Sequence, residues 1–553
     1  MARRPGDTGA TAVVVSHPCI SPSRGANINI NVNVSNAVNT YLSPVRRAAT
    51  CFGDRVALID ATTGTETTFR QLETRVMRIA GMLDELGVAR GERVAVLADG
   101  GSRYAQLYLG VPAAGRVVVP LNTRYTRDEL EAACRDCTPM LLLVDRQYEP
   151  LTAGLADVVI VLDDEFDRRL AGTRELVVPD VDENEPAAIF YTGGTTDRAK
   201  GVCLSHRNKL CDALTLTIEL ELGEADRWLV MSPMFHAAGS FNVLPCVWVG
   251  ATQVFLPRFD AEGAVRAMAT YAISLTFGVP IMLDALADAQ HRLGLDVSSL
   301  RLLGHGGAQA TQATLARTIS AFPDTEICAQ YGATEMAPLA TVGRHQERRL
   351  GTPSARAAGR PAIGVDVTIT GPDGLPVGIG ETGEVTVTGP NIMLGYWGKP
   401  EATAEVLTGD SYRSGDLGYL DGDGLLYVVD RKKDMIISGG ENVFSVEVED
   451  VLASHPDVVE AAVLGEHDER WGEVVTAVIV GRSEDLTHET LDVFCHQHLA
   501  GYKCPRRYTF RQEPLPRTAA GKLLKRNLRP PTSGEGRRAR DDGDQVPSPA
   551  RPA

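Results

Sequence analysis

The chain has 553 residues, 44% of them hydrophobic, and a formal net charge of −16. That length suggests roughly three to four domain-sized units, and a mean hydropathy near zero fits a soluble protein with large cores. The acidic balance argues against a broad nucleic-acid surface, and no apolar run reaches the ~20 residues of a membrane span. The run Thr11 to Val15 is too short for a signal-peptide core, so a cytoplasmic protein is expected.

Residues 1–40 are expected to be poorly ordered, although the strict alternation from Asn27 to Val34 suits a strand at a sheet edge. Leu72, Val76, Ile79, Met82 and Leu83 recur at helical spacing and predict a helix over Thr68 to Leu86. Arg93 to Leu97 reads as a buried strand, Tyr104 to Ala114 as a helix and Val117 to Leu121 as the next strand. Cys134 and Cys137 form the single close cysteine pair: a zinc half-site, or two thiols on a helix surface. Strands are predicted again at Ala187 to Phe190, Trp228 to Met231, Thr252 to Leu256 and Leu275 to Val279. Helical stretches alternate with them, so the sheets should carry helices on both faces.

Near Val365 short strands follow one another between Gly, Pro and Asp turns, at Asp366–Thr370, Glu384–Thr388 and Leu425–Val429. After Asp430 the pattern predicts a compact α+β unit: helix Ser445–Ala453, strands Val458–Leu464 and Val474–Val480, and helix Glu489–Leu499. Cys495 to His498 reads as the end of that last helix. The fold class is therefore α/β. A large N-terminal domain of sheet layers (41–430) carries a β-rich subdomain, a small mobile C-terminal domain covers 431–530, and a Pro- and charge-rich tail (531–553) is disordered.

The segment Tyr191 to Val202, YTGGTTDRAKGV, concentrates glycines, threonines and Lys200 between the strand at Ala187 and a helix capped by Ser205. Strand, glycine-rich loop and helix together cradle phosphates, so a nucleoside triphosphate is the expected ligand. It is not the Gly-x4-Gly-Lys-Ser/Thr loop, because Lys200 lies between Ala199 and Gly201. Gln330-Tyr-Gly-Ala-Thr-Glu335 sets a ring, a hydroxyl and a carboxylate after a strand, and Glu335 suits Mg²⁺, which takes oxygen ligands and bridges phosphates. Asp416, in YRSGD, suits the two ribose hydroxyls.

Six segments in order resemble the adenylate-forming superfamily, its acyl-CoA synthetase branch in particular. They are the opening loop, YGATE, Gly383 to Trp397, YRSGDLGYLDGDG, DRKKDMIISGGENV and PRTAAGKLLKR, and they span about residues 45–530. The resemblance implies ATP, Mg²⁺ and CoA, and a carboxylic acid activated as acyl-AMP before transfer to a thiol. A carrier protein or an amine replaces CoA in other branches, and an unusual oxyacid would be a variant substrate. By the same resemblance Thr192, Gly193, Gly194, Thr195, Thr196 and Lys200 hold phosphates. Gly306, Gly307, Ala308, Tyr331 and Gly332 frame adenine, and Asp416 and Arg431 bind ribose. Thr334 meets the α-phosphate, Glu335 holds the metal, Lys433 is the hinge residue, and Lys522 bridges the α-phosphate and the carboxylate.

His236, in MFHAAG, resembles the gate of the acyl pocket; the alternative is a packed core histidine. That pocket would also involve Phe241, Val279, Met282, Gly304, His305 and Gly332. Trp471, Tyr502, Lys503 and Arg506 would offer CoA a stacking and phosphate surface. A monomer or homodimer is expected. The sequence departs from the family at Gly193, Asp197 and Ala199, and at Ser445, where many relatives have proline and little consequence is expected. Asp197 brings a negative charge toward phosphates, so a degenerate nucleotide-binding protein is the rival reading.

Overall fold

The computed structural model describes residues 40–176, 178, 180–192, 199–344, 350–483, 485–517 and 523–529. The alternating run 27–34, the loop residues Gly193, Gly194, Thr195, Thr196 and Asp197, the lysine Lys522 and the tail 531–553 lie outside them.

Among the described residues the chain forms four sheets. A seven-stranded sheet has a parallel centre of Arg93–Leu97, Val117–Pro120, Leu141–Val144, Val158–Val161 and Pro186–Thr192. Runs such as LLLV at Leu141–Val144 are buried throughout, as a parallel strand covered on both faces requires. A nine-stranded sheet has parallel neighbours Arg227–Val230, Leu275–Gly278, Leu302–Gly306 and Glu326–Tyr331 at its centre. Helix Phe69–Glu85 begins at a capping box, Thr68 and Gln71 each accepting the other's backbone N–H. Its Leu72, Val76, Ile79, Met82 and Leu83 are all buried, as their spacing predicts.

Two expectations need correction here. Cys134 and Cys137 sit on helix Arg127–Cys137 but face inward, and burial pushes their thiols up to about 11 and about 12. They are core side chains, because the inward face of that helix also carries Leu130 and Ala133. The glycine-rich segment is also not followed directly by a helix. Pro186–Thr192 and Lys200–Ser205 pair antiparallel, Thr192 facing Lys200, so the described residues on either side of the segment form two neighbouring strands. The run Lys200–Ser205 stays extended because residues Gly201 to Ser205 are buried in the sheet. Ser205 does cap helix His206–Glu219, one strand length later than a phosphate-binding helix start would need.

The β-rich region is a five-stranded antiparallel sheet running from Asp366 to Arg431. The last sheet holds Val458–Asp468 and Gly472–Gly481, a hairpin longer than the sequence suggests, paired out to Asp468↔Gly472. Its polar tip, Gly465 to Glu473, reads as a turn because exposed hairpin arms need no apolar alternation. Strand Arg507–Arg511, parallel to its neighbour, was not apparent from the sequence.

Ser445 also differs from expectation. It is fully buried at the first turn of helix Ser445–Ala453, and both its N–H (2.5 Å) and its hydroxyl (2.8 Å) donate to Asp430 Oδ2. Lys525 Nζ donates to the same hydroxyl at 2.6 Å and pairs with Glu449 at 2.7 Å. A proline here would offer neither N–H nor hydroxyl, so Ser445 carries a chain of bonds a proline could not make. Arg356 adds a second tie to the helix, 3.0 Å from Asp450.

Candidate active site

Parallel strands end where ligands bind in open α/β sheets, and the named segments lie at those ends. Strand Leu302–Gly306 runs into Gly307 and Ala308, and strand Glu326–Tyr331 runs into Gly332 to Glu335. The glycines answer close backbone approaches. A Cβ on Gly306 would lie 2.3 Å from Gln330 O, and one on Gly332 would lie 1.9 Å from Pro338 O. Gly307 takes a left-handed φ of +75°.

On one side, Tyr331 donates its phenol to Asp416 Oδ2 at 2.7 Å, and Arg431 Nε lies 2.5 Å from Asp416 Oδ1. Asp416 and Arg431 are direct cross-strand partners, so the sheet itself sets this ion pair. Burial and the facing carboxylate hold the Tyr331 phenol far above its ordinary range, so it remains a donor.

On the other side, Glu335 occupies a one-turn 3₁₀ segment, Thr334–Met336, and is largely buried. Tyr396 donates to Glu335 Oε1 at 2.9 Å, and Met393 N–H donates to its backbone carbonyl at 2.9 Å. Tyr396 belongs to the short strand Gly395–Tyr396, paired with the lysine strand. The ring therefore lies under Lys200, whose Nζ is 4.7 Å from its centroid. Lys200, Tyr396 and Glu335 form one file: cation, ring, carboxylate. Tyr396 was missed as a functional residue, although it sits in one of the six recognised segments. Its signal lay in the pairing of its strand, which connects residues far apart in sequence.

Glu335 takes no cation partner among the described residues, and no group of three or more metal-ligating side chains occurs among them. One buried carboxylate fits an ion that draws its other ligands from phosphate oxygens and water. Thr192 ends its strand with its hydroxyl 3.4 Å from Lys200 O, and Thr334 begins the turn of Glu335. Lys433 lies in the tight turn closed by Met435 N–H to Arg431 O at 3.0 Å.

His236 precedes a short helix, Ala237–Ser240, with its ring 4.6 Å from that of Phe235. Its Nε2 is buried without a partner among the described residues, and burial together with Arg124 pushes its pKa down to about 4. The imidazole is neutral at pH 7. Phe241 sits 5.1 Å from Phe277 and 5.7 Å from Trp228, in a buried aromatic cluster.

The hairpin Ser438–Glu441 turns on Gly439 and Gly440, both at left-handed φ, and a Cβ on Gly439 would lie 2.8 Å from the Trp471 ring. Arg506 covers the same indole at 4.5 Å. Lys503 instead spends its charge on both oxygens of Glu447, 2.7 Å away.

The model of the AMP-binding enzyme matches residues 45–397, well over half of the chain, and that of the AMP-binding enzyme C-terminal domain matches 447–522. The chain belongs to the AMP-binding enzyme family. It is 38% identical to a feruloyl-CoA synthase of Amycolatopsis sp., over 84% of this chain and 94% of that protein. It is 34% identical to the 2-succinylbenzoate–CoA ligase of Bacillus cereus strain Q1, over 84% and 93%. The o-succinylbenzoate CoA synthetase of Bacillus subtilis, solved with its acyl-adenylate intermediate, superposes with a TM-score of 0.80 at 29% identity, covering 89% of this chain and 99% of that one. The chain is an AMP-forming acid–thiol ligase: it activates a carboxylic acid as an acyl adenylate and passes the acyl group to CoA. The fold expected from the sequence, α/β sheet layers with a small C-terminal unit, agrees with these neighbours. No helix among the described residues is long and apolar enough to cross a membrane.

Proposed function

We propose that these two clusters divide the nucleotide between them. Asp416 and Arg431 take the ribose, the Gly306–Ala308 and Tyr331–Gly332 segments frame the base, and Lys200 with the loop hydroxyls takes the β- and γ-phosphates. The file of Lys200, Tyr396 and Glu335 carries this reading, because it aligns a phosphate-binding cation with a carboxylate suited to Mg²⁺. When bound, Mg²⁺ would neutralise charge on the phosphates. Glu335 would hold it, with Tyr396 fixing which carboxylate oxygen faces it.

A substrate carboxylate is repelled by the α-phosphate, so cations must offset the charge that builds during attack. Lys200 supplies one such charge and Lys522 the other. Thr334, one residue before the metal carboxylate, reaches the α-phosphate. The second step needs room for a thiol. The glycine turn at Gly439–Gly440 offers it, and the C-terminal unit (431–530) would swing about Lys433 to present it. Trp471 and Arg506 form the flat cationic face proposed for CoA, while Lys503, already tied to Glu447, is the weaker part of that set.

The acid is proposed to carry an aromatic ring, which the names of the two relatives support, with the buried cluster of Phe241, Phe277 and Trp228 behind the candidate pocket residue Phe241. The purified protein should release pyrophosphate and form thioesters fastest with aryl acids in a panel that also spans short and long aliphatic acids. A preference for long aliphatic acids overturns the ring assignment, and a product found only on an amine or a carrier protein overturns CoA as acceptor. Lys522→Ala should abolish acid-dependent ATP–pyrophosphate exchange while sparing thioester formation from supplied acyl-AMP. Equal loss of both steps rejects the division of labour between the two parts of the chain.

A further inference from the structure

Helix His206–Glu219 carries a charge pair that the proposed chemistry does not use. Lys209 and Asp212 are each 1% exposed, with Nζ and Oδ2 4.0 Å apart. Lys209 Nζ donates to Ala337 O at 2.7 Å, and Asp212 Oδ1 accepts from Leu339 N–H at 3.1 Å. Both charges are thus spent on the backbone of one short segment, two to four residues beyond Glu335. Ala337 takes a left-handed φ of +67°, a conformation that an alanine holds only when its surroundings impose it.

The same helix grips Glu335 from a second direction. Asn208 Nδ2 donates to Pro390 O (2.8 Å) and Ile392 O (2.7 Å), next to Met393, whose N–H meets the Glu335 carbonyl. Asn391 closes the frame, donating to Met336 O and Leu339 O at 2.8 Å each. On its far side the 337–339 segment abuts Gly332, whose Cα leaves no room for a side chain against Pro338 O. Gly332 thus backs the segment, and the helix contacts act on the side that carries Glu335.

A buried ion pair is a poor way to gain stability, since apolar side chains of similar volume often do as well or better. Here Asp212 Oδ2 has no hydrogen-bond partner among the described residues, so the pair is not arranged for its own satisfaction. It is arranged to hold one carbonyl and one N–H that no apolar side chain could hold. We propose that Lys209 and Asp212 are positioning residues for Glu335: an internal clamp that sets the carboxylate where Mg²⁺·ATP meets it. The inference rests on the assignment of Glu335 to the nucleotide-bound metal.

The test is the double variant Lys209→Met/Asp212→Leu, which removes both charges and leaves neither stranded. Calorimetric titration with ATP is run in Mg²⁺ and, separately, in EDTA. The expected result is a melting temperature close to the parent's and a loss of Mg²⁺·ATP affinity of about ten- to a hundredfold, as for other outer-shell partners of a metal ligand. ATP affinity in EDTA should barely change. Lys209→Arg, which keeps a buried donor, should retain most of the Mg²⁺·ATP affinity. Parental affinity in the double variant, or an equal loss with and without Mg²⁺, overturns the clamp. If the parent itself binds ATP alike in Mg²⁺ and EDTA, the metal assignment of Glu335 fails instead. Hydrogen exchange then decides the clamp: faster exchange of the Leu339 amide in the double variant supports it, and unchanged protection overturns it.

Discussion

Two ion pairs in this protein look alike in composition and differ in everything else. Asp416 and Arg431 face each other across a sheet, with the Tyr331 phenol added and the arginine partly open to solvent. Lys209 and Asp212 are sealed and spend themselves on main-chain atoms. The arginine of the sheet pair reaches solvent and can turn to an incoming hydroxyl, while its carboxylate is buried beside the Tyr331 phenol. The sealed pair cannot exchange anything, and removal of one member leaves the other charged and dry. Proximity of opposite charges therefore says little about role; what each charge touches besides its partner says more.

The comparison breaks most visibly at Asp212→Ala. It strands the Lys209 ammonium and should cost about 3–5 kcal/mol in denaturant unfolding. A cost below 1 kcal/mol would show that the pair is not sealed.

Acid separates sealed from open groups next. Burial pushes the pKa of His206 down to about 4, and burial with Arg124 does the same to His236. Their unfolded value is near 6.5, so the unfolded chain takes up protons first as pH falls. The stability these neutral rings contribute is complete above about pH 6.5 and is lost toward pH 4, by up to about 3 kcal/mol each. Burial raises the Asp212 carboxyl, against the pull of Lys209. That raised pKa acts in the opposite sense and offsets part of the loss. Unfolding curves between pH 7 and 4 should slope accordingly, less steeply in His206→Gln.

At the sheet pair, Asp416→Ala should lower the melting temperature less than Asp212→Ala does, because Arg431 can turn to solvent, and should raise the KM for ATP. A lost hydrogen bond to a charged group is worth roughly 1.5–3 kcal/mol, about ten- to a hundredfold. Tyr396→Phe removes one neutral donor from Glu335 and should cost about 1 kcal/mol in Mg²⁺·ATP affinity, read by calorimetry. The smallest effect belongs to Arg356→Ala, whose partly exposed pair with Asp450 should be worth less than about 1 kcal/mol in thermal unfolding.

Much of the fold was written in local periodicity. Helix Phe69–Glu85 and the parallel strands announce themselves through spacing and through runs buried on both faces. The strand at Lys200–Ser205 does not, because a short apolar run beside a glycine-rich loop suits a strand or a helix start equally well. At the site, the motif residues were legible by resemblance, whereas Tyr396, Asn208, Lys209 and Asp212 were not. The contacts of Tyr396 with Glu335 and of Lys209 with Ala337 join residues 61 and 128 positions apart. No spacing rule within a window of one helix or strand can detect them.

The chain of bonds from Asp430 through Ser445 to Lys525 bears on how such proteins can be recombined. A graft joined at residue 431 would take Asp430 from one parent and the helix that covers it from another. If the second parent carried proline at position 445, the buried carboxylate would lose both of its donors there. The workable seam for exchanging C-terminal parts therefore lies before Asp430, so that carboxylate, serine and lysine travel together as one heritable block.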